Sequence, residues 1–278
     1  MPVEASVIRI PGVEVADEIY RSDRTVVMRG TRRADGTPVI IKTLSEEHRD
    51  PRDVMRISHE HEILQALDAP GIVRSLGLER LGGSFALLLE DFGGISLDRH
   101  LATRRVDIPS FLRIALQLTD ALGAVHDRGI IHKDLNPSNI LINAGTGQVK
   151  ISDFGISSFL ERESQSDTSP QLLEGTLPYI SPEQTGRMNR SIDYRTDFYS
   201  LGATLYEVLL GWPPFQSGDP MELVHSHIAR RPIPPRDLNR EIPAPVSAIV
   251  MKLLAKTAEE RYQSARGLRA DWEKCEPG

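Results

Sequence analysis

His132-Lys133-Asp134-Leu135-Asn136-Pro137-Ser138-Asn139, followed fourteen residues later by Asp153-Phe154-Gly155, is the stretch on which the reading of this chain turns. Asp134 and Asn139 stand five apart, and a second aspartate precedes Phe-Gly. One carboxylate so placed can orient a hydroxyl. An amide and a second carboxylate can hold magnesium ions that bridge the phosphates of ATP, so the layout suits phosphoryl transfer. Residues 140–143 and 148–151 flank Ala144-Gly145-Thr146-Gly147, which predicts a short hairpin joining the two groups.

Working outward, Ile114, Leu118, Leu122 and Val125 recur at helical spacing, with Ser110 as the expected cap and Arg128-Gly129 as the stop. Residues 157–175 are rich in Ser, Thr and Glu with little periodicity and predict a loop. A strongly apolar helix is expected from about Thr196 to Leu210, closed by Gly211. A proline-rich crossing follows at 232–245, then helices over about 245–256 and 264–273. Residues 14–90 read as strands around one helix. Asp35-Gly36 lies between two β-branched runs, a hairpin signal. Asp50-Pro51 starts a helix whose apolar face carries Ile63, Leu64 and Leu67. Ser84–Glu90 is a buried strand, and Gly93-Gly94 reads as a hinge.

The chain has 278 residues, enough for two lobes, with 40% hydrophobic and 26% charged residues, a globular balance. A net charge of −6, with no block of Lys or Arg, argues against nucleic acid as a main partner. The one cysteine, Cys275, excludes an internal disulfide and a cysteine metal site, and it is consistent with a reducing compartment. No uninterrupted apolar run approaches about 18 residues, so no membrane span is expected. The first ten residues include Glu4 and lack the apolar core of a signal peptide. A cytoplasmic location is the resulting expectation.

Lys42 ends the apolar run Val39-Ile40-Ile41, where an ammonium can reach phosphates if an acid orients it. Taken alone it reads equally as an edge-strand lysine. The catalytic-loop and Asp-Phe-Gly residues change the balance, because together they resemble the protein kinase family. The resemblance runs over about residues 18–273. It implies an α+β, two-lobed fold: an N-terminal extension at 1–17, a mainly β lobe with one helix at 18–91, a mainly α lobe at 92–273 and a tail at 274–278. It implies that Glu60, rather than Glu62, orients Lys42, and that Asp134 is the catalytic base. Asn139 and Asp153 would bind magnesium. The backbone from Glu90 to Phe92 would receive adenine, with Leu89 beside it. His132 would be structural, packed near Phe154. Gly175-Thr176 and Ser181-Pro182-Glu183 resemble the end of an activation segment. Asp197 would cap the catalytic-loop backbone, and Arg261 would form a buried ion pair with Glu183.

The chain departs from that family in three places. The glycine-rich phosphate loop is missing, its glycine positions falling on Tyr20, Ser22 and Thr25. Arg21 or Arg24 would supply phosphate contacts there or simply be solvated turn residues. Lys133 replaces an arginine that pairs with phosphorylated activation loops, so weak control of that kind is expected; bidentate pairing belongs to Arg and not to Lys. Ser157, Ser158, Ser164, Ser166, Thr168 and Ser169 are the hydroxyls in question. Asn136 replaces the lysine that marks Ser/Thr kinases, which removes a cation from the transferring phosphate and leaves the Ser/Thr preference open.

The segment from Thr176 to Asp197 is similar to the N-terminal kinase domain of large bacterial and fungal hybrid serine/threonine–histidine sensor kinases. The reading that follows is an ATP- and Mg²⁺-dependent protein kinase acting on Ser/Thr hydroxyls of a protein substrate, with turnover at or below the low end of about 1–100 s⁻¹. The alternative is an ATP-binding pseudokinase or regulatory module with negligible transfer. Small-molecule phosphotransfer is a third reading, disfavoured by the Ser-Pro-Glu segment.

Overall fold

The computed structural model describes residues 9–45, 50–160, 175–187 and 190–275. Its chain forms two compact units, one of Met1–Asp68 with Val73–Gly93 and one of Ala69–Ile72 with Gly94–Gly278.

The first unit is built on alternation. Strands β1 (Val13–Arg21), β2 (Thr25–Arg32) and β3 (Pro38–Leu44), helix α1 (Pro51–Ala66), then β4 (Ser75–Leu81) and β5 (Ser84–Glu90) follow in order. The strands form one antiparallel sheet in the order β1-β2-β3-β5-β4. Successive strand residues point to opposite faces. Val26, Met28, Val39, Ile41, Ala86 and Leu88 therefore share one buried face with Ile10 and Val13. Ile40 and Lys42, out of step with them, belong to the opposite face, where Lys42 pairs in register with Leu87. Asp50 caps α1 as expected, accepting from the amides of Arg52 and Asp53, and the helix packs on β3, β4 and β5.

The second unit begins with β6 (Ile95–Ser96), α2 (Leu97–Thr103) and α3 (Ile108–Asp127). Asp107, not Ser110, caps α3, accepting from the Ser110 amide at 2.8 Å. Pro109 fits the first turn and extends the helix back past Ser110. By length and composition α3 is apolar enough to cross a membrane, although Arg113, Gln117 and Asp120 interrupt the run. Its buried residues, among them Phe111, Leu118, Leu122 and Val125, make it the core helix of this unit.

Next come β7 (Ile130–Ile131), the expected hairpin β8 (Ile140–Ile142) and β9 (Val149–Ile151), and β10 (Ser158–Phe159). β10 corrects the loop expected from residue 157, because Ser158 and Phe159 pair with Ile131 and Ile130. Residues 161–174, which include Ser164, Ser166, Thr168 and Ser169, lie outside the described residues.

Helices α4 (Arg195–Leu210), α5 (Pro220–Ala229), α6 (Pro235–Leu238), α7 (Ala244–Leu253) and α8 (Ala265–Glu273) complete the unit. α6 is a helical turn inside the expected proline-rich crossing. Gly211 ends α4 with φ 88°, a left-handed cap that a side chain disfavours. Phe111 on α3 meets Trp272 on α8 edge to face at 5.7 Å.

Candidate active site

On α1, Ile57, Glu60, Ile63 and Leu64 are buried along one stripe. A carboxylate in an apolar stripe needs a partner. The Lys42 ammonium supplies it at 2.7 Å from Glu60 Oε2, with side-chain exposures of 13% and 2%. Glu62, two residues away, faces solvent. The same sheet places Leu89 opposite Ile40 and Glu90 opposite Val39, and Phe92 follows two residues beyond β5. Arg29 ties this strand end down through a 2.6 Å ion pair with Asp91, whose other oxygen accepts from the Gly93 amide at 2.9 Å. The ion pair has no signal in local sequence, since Arg29 and Asp91 stand 62 residues apart.

Where a glycine-rich loop was missing, β1 and β2 join through a tight turn. Ser22 N–H donates to the Thr25 carbonyl at 2.9 Å, and Thr25 N–H to Ser22 Oγ at 3.0 Å. Arg21 is engaged by Glu18 at 2.5–2.9 Å, and Arg24 is exposed.

In the second unit the catalytic-loop backbone is held by Asp197, which is wholly buried. Its carboxylate accepts from the amides of His132 at 2.9 Å and Lys133 at 2.8 Å, and its Oδ2 lies 2.9 Å from His126 Nε2. Burial works against ionisation of Asp197, but the His126 contact and the His132 amide outweigh it and hold its pKa below the usual carboxylate range. His132 is structural, as expected: Phe154 packs on it edge to face at 4.6 Å. Its Nδ1 accepts from the Asp134 amide at 3.2 Å and its Nε2 faces the Ser152 carbonyl at 3.1 Å, so both ring nitrogens are spent on backbone.

Asp134 and Asn139 are brought together. Both hydrogens of Asn139 Nδ2 are used on Asp134, at 2.9 Å to its carbonyl and 3.0 Å to Oδ2, which leaves Oδ1 as the end available to a cation. The Asn139 carbonyl accepts from both the amide and hydroxyl of Ser152, at 2.8 and 3.0 Å, so the residue before Asp153 is fastened to the same loop. Asp153 itself has φ 61°. An amide oxygen and a carboxylate are hard donors that suit Mg²⁺, which takes few protein ligands and completes its shell with water and phosphate oxygens. Among the described residues there is no cluster of three or more His, Cys, Asp or Glu that could hold a metal ion.

Two participants were not assigned these contacts from sequence. Thr176 donates to Asp134 Oδ1 from its amide at 2.8 Å and its hydroxyl at 2.7 Å. Asn136, expected only as a lost cation, donates to Asp134 Oδ1 at 3.1 Å and to Thr176 Oγ1 at 3.1 Å. Burial raises the Asp134 pKa, with the Asp153 charge adding to it and the Thr176 hydrogen bonds opposing.

The end of the segment is anchored by the expected Glu183–Arg261 pair, bidentate at 2.5 and 2.8 Å and almost fully buried. Thr196 Oγ1 also donates to Glu183 at 2.9 Å. Ser157 is buried, its hydroxyl donating to the His132 carbonyl at 3.1 Å.

Comparison with known proteins carries the same reading. A family model described as the protein kinase domain matches residues 17–273. The serine/threonine-protein kinase PknB of Mycobacterium tuberculosis is 36% identical over 84% of this chain and 38% of its own length. A probable serine/threonine-protein kinase of Clostridium perfringens is 31% identical over 85% of this chain and 34% of its own, and one of Streptomyces coelicolor is 33% identical over 87% and 37%. The chain thus spans well under half the length of these curated relatives. With the match running through both compact units, the chain belongs to the protein kinase domain family.

Proposed function

We propose that this chain is an ATP- and Mg²⁺-dependent protein kinase that transfers the γ-phosphoryl group to Ser/Thr hydroxyls of protein substrates. The observation that carries the proposal is the Asp134–Asn139 pair beside Asp153, on a loop fixed by Asp197. Asp134 orients the acceptor hydroxyl and takes its proton. Asn139 Oδ1 and the Asp153 carboxylate hold magnesium, which when bound neutralises charge on the phosphates. Lys42, oriented by Glu60, holds phosphate oxygens, and the Glu90–Phe92 backbone with Leu89 receives adenine. The resemblance of Thr176–Asp197 to hybrid sensor kinases supports a further reading, in which the chain is the phosphotransfer module of a larger signalling protein. ATP as donor supports a cytoplasmic location.

The neutral Asn136 beside Asp134 favours the second reading, a nucleotide-binding regulatory module. Incorporation of label from ATP with Mg²⁺ separates the two, wild type against Asp134→Asn. Loss of about 10²–10⁴-fold in the variant is expected. Equal incorporation sinks the catalytic reading, and nucleotide binding without incorporation by either protein establishes the regulatory one. Phosphoserine and phosphothreonine in the product are expected; phosphotyrosine overturns the Ser/Thr assignment.

A further inference from the structure

Lys133 and Asp153 are the non-glycine residues with positive φ among those described, at 69° and 61°. A lysine gains nothing from left-handed backbone, and such a conformation persists only where the surroundings over-determine it. Lys133 directly precedes Asp134, so the orientation of the peptide between them sets where the Asp134 side chain points. The N–H side of Lys133 is held by Asp197. Its carbonyl side is held by Gln184, whose Nε2 donates to the Lys133 oxygen at 2.7 Å.

The Gln184 amide cannot be turned round. Its Oε1 accepts from the Ser181 amide at 3.2 Å, so one end must be an acceptor and the other a donor. Gln184 is 7% exposed and Ser181 fully buried, so water does not compete for these contacts. Gly175 makes room for the arrangement. A Cβ there would lie 3.1 Å from the Lys133 oxygen and 3.5 Å from Gln184 Nε2, and its φ of +105° disfavours a side chain. The next residue, Thr176, is the one that reaches Asp134 Oδ1. The segment ending in Ser181-Pro182-Glu183-Gln184 thus grips the Lys133–Asp134 peptide through its carbonyl, while Asp197 holds the amide of the peptide before it.

We propose that Gln184 is a positioning residue for phosphoryl transfer: by fixing the Lys133 carbonyl it aims the Asp134 carboxylate at the acceptor hydroxyl. This rests on the phosphoryl-transfer reading above and extends it to a side chain that never touches substrate.

The test compares wild type, Gln184→Met and Gln184→Glu in the full chain. Gln184→Met keeps length and loses the donor. It is expected to lower kcat about 10–100-fold, the cost of a small misplacement of a reacting group. KM for ATP should stay within about twofold, and amide hydrogen exchange across His132–Leu135 should accelerate about tenfold. Gln184→Glu donates to the Lys133 carbonyl only when protonated. Its activity relative to wild type should therefore rise as pH falls from about 8 to about 6. Unchanged kcat with unchanged exchange in Gln184→Met overturns the proposal, as does a kcat loss matched by an equal rise in KM. If Gln184→Met does not fold, the Glu variant decides, and an activity ratio flat with pH overturns the assignment. A wild-type chain that transfers no phosphate overturns the proposed function instead. The exchange comparison then decides whether the clamp exists, and equal rates overturn it.

Discussion

The half-buried Asp134 carboxylate is ringed by donors from its own loop and from Thr176. One carboxylate oxygen takes three donors, from Asn136 and twice from Thr176, and the other takes Asn139. Burial still dominates and raises its pKa. A base must be deprotonated to act, so activity falls as pH drops through that pKa. The acid limb of kcat/KM is therefore expected above the ordinary aspartate value of about 3.9. Thr176→Val removes a hydroxyl that stabilises the carboxylate and should move the limb further up. A single-turnover pH profile checks both; a limb at or below pH ~4 in wild type contradicts the first. At this scale the sequence was legible where one residue type has one use. Asp134, Asn139 and Asp153 stand out by spacing alone. Asn136 and Thr176 do not, because their partner is a single oxygen that only the folded loop brings within reach, 42 residues away in the case of Thr176.

Elements were legible where period and chemistry agreed. The alternation of β3 separates Lys42 from Val39 and Ile41, and the apolar stripe of α1 carries Glu60 to it. The start of α3 was misread because Ser110 and Asp107 are both good caps, and Pro109 admits the earlier one. The strand at Ser158–Phe159 was missed because two residues have no period, and only pairing with Ile130–Ile131 defines them. Packing between helices also has a point of high sensitivity. In α4, a Cβ on Gly202 would sit 2.7 Å from Leu253 Cβ and 3.3 Å from the Leu253 carbonyl carbon, both on α7. Gly202→Ala gains about 1 kcal/mol of helix propensity. Overpacking costs about 1–3 kcal/mol, and here the obstacle includes backbone of a buried helix. A net loss of about 1–2 kcal/mol is expected in urea unfolding; a stabilised variant would show that α4 and α7 separate readily.

For the molecule as a whole, family membership was legible because the recognisable motifs are spread over nearly the full chain, and the net charge of −6 narrowed the partners. The Glu183–Arg261 pair was legible for the same reason. Arg261 is also held by the carbonyls of Arg195, Ala255 and Lys256, at 2.9–3.2 Å. Removing one partner of a buried, hydrogen-bonded pair costs about 3–5 kcal/mol. Arg261→Ala should lower the melting temperature by roughly 10 °C at about 2–4 °C per kcal/mol. Arg261→Lys should recover only part, because an ammonium cannot span both carboxylate oxygens. An unchanged melting temperature in Arg261→Ala rules out a stabilising role. The same pair has a consequence for birth of the protein on the ribosome. Glu183 and Arg261 are 78 residues apart, and Phe111 waits still longer for Trp272. At about 5–20 residues per second, the carboxylate of Glu183 is without its partner for roughly 4–16 s of synthesis. The second unit therefore cannot complete either contact until Arg261 and Trp272 have been made.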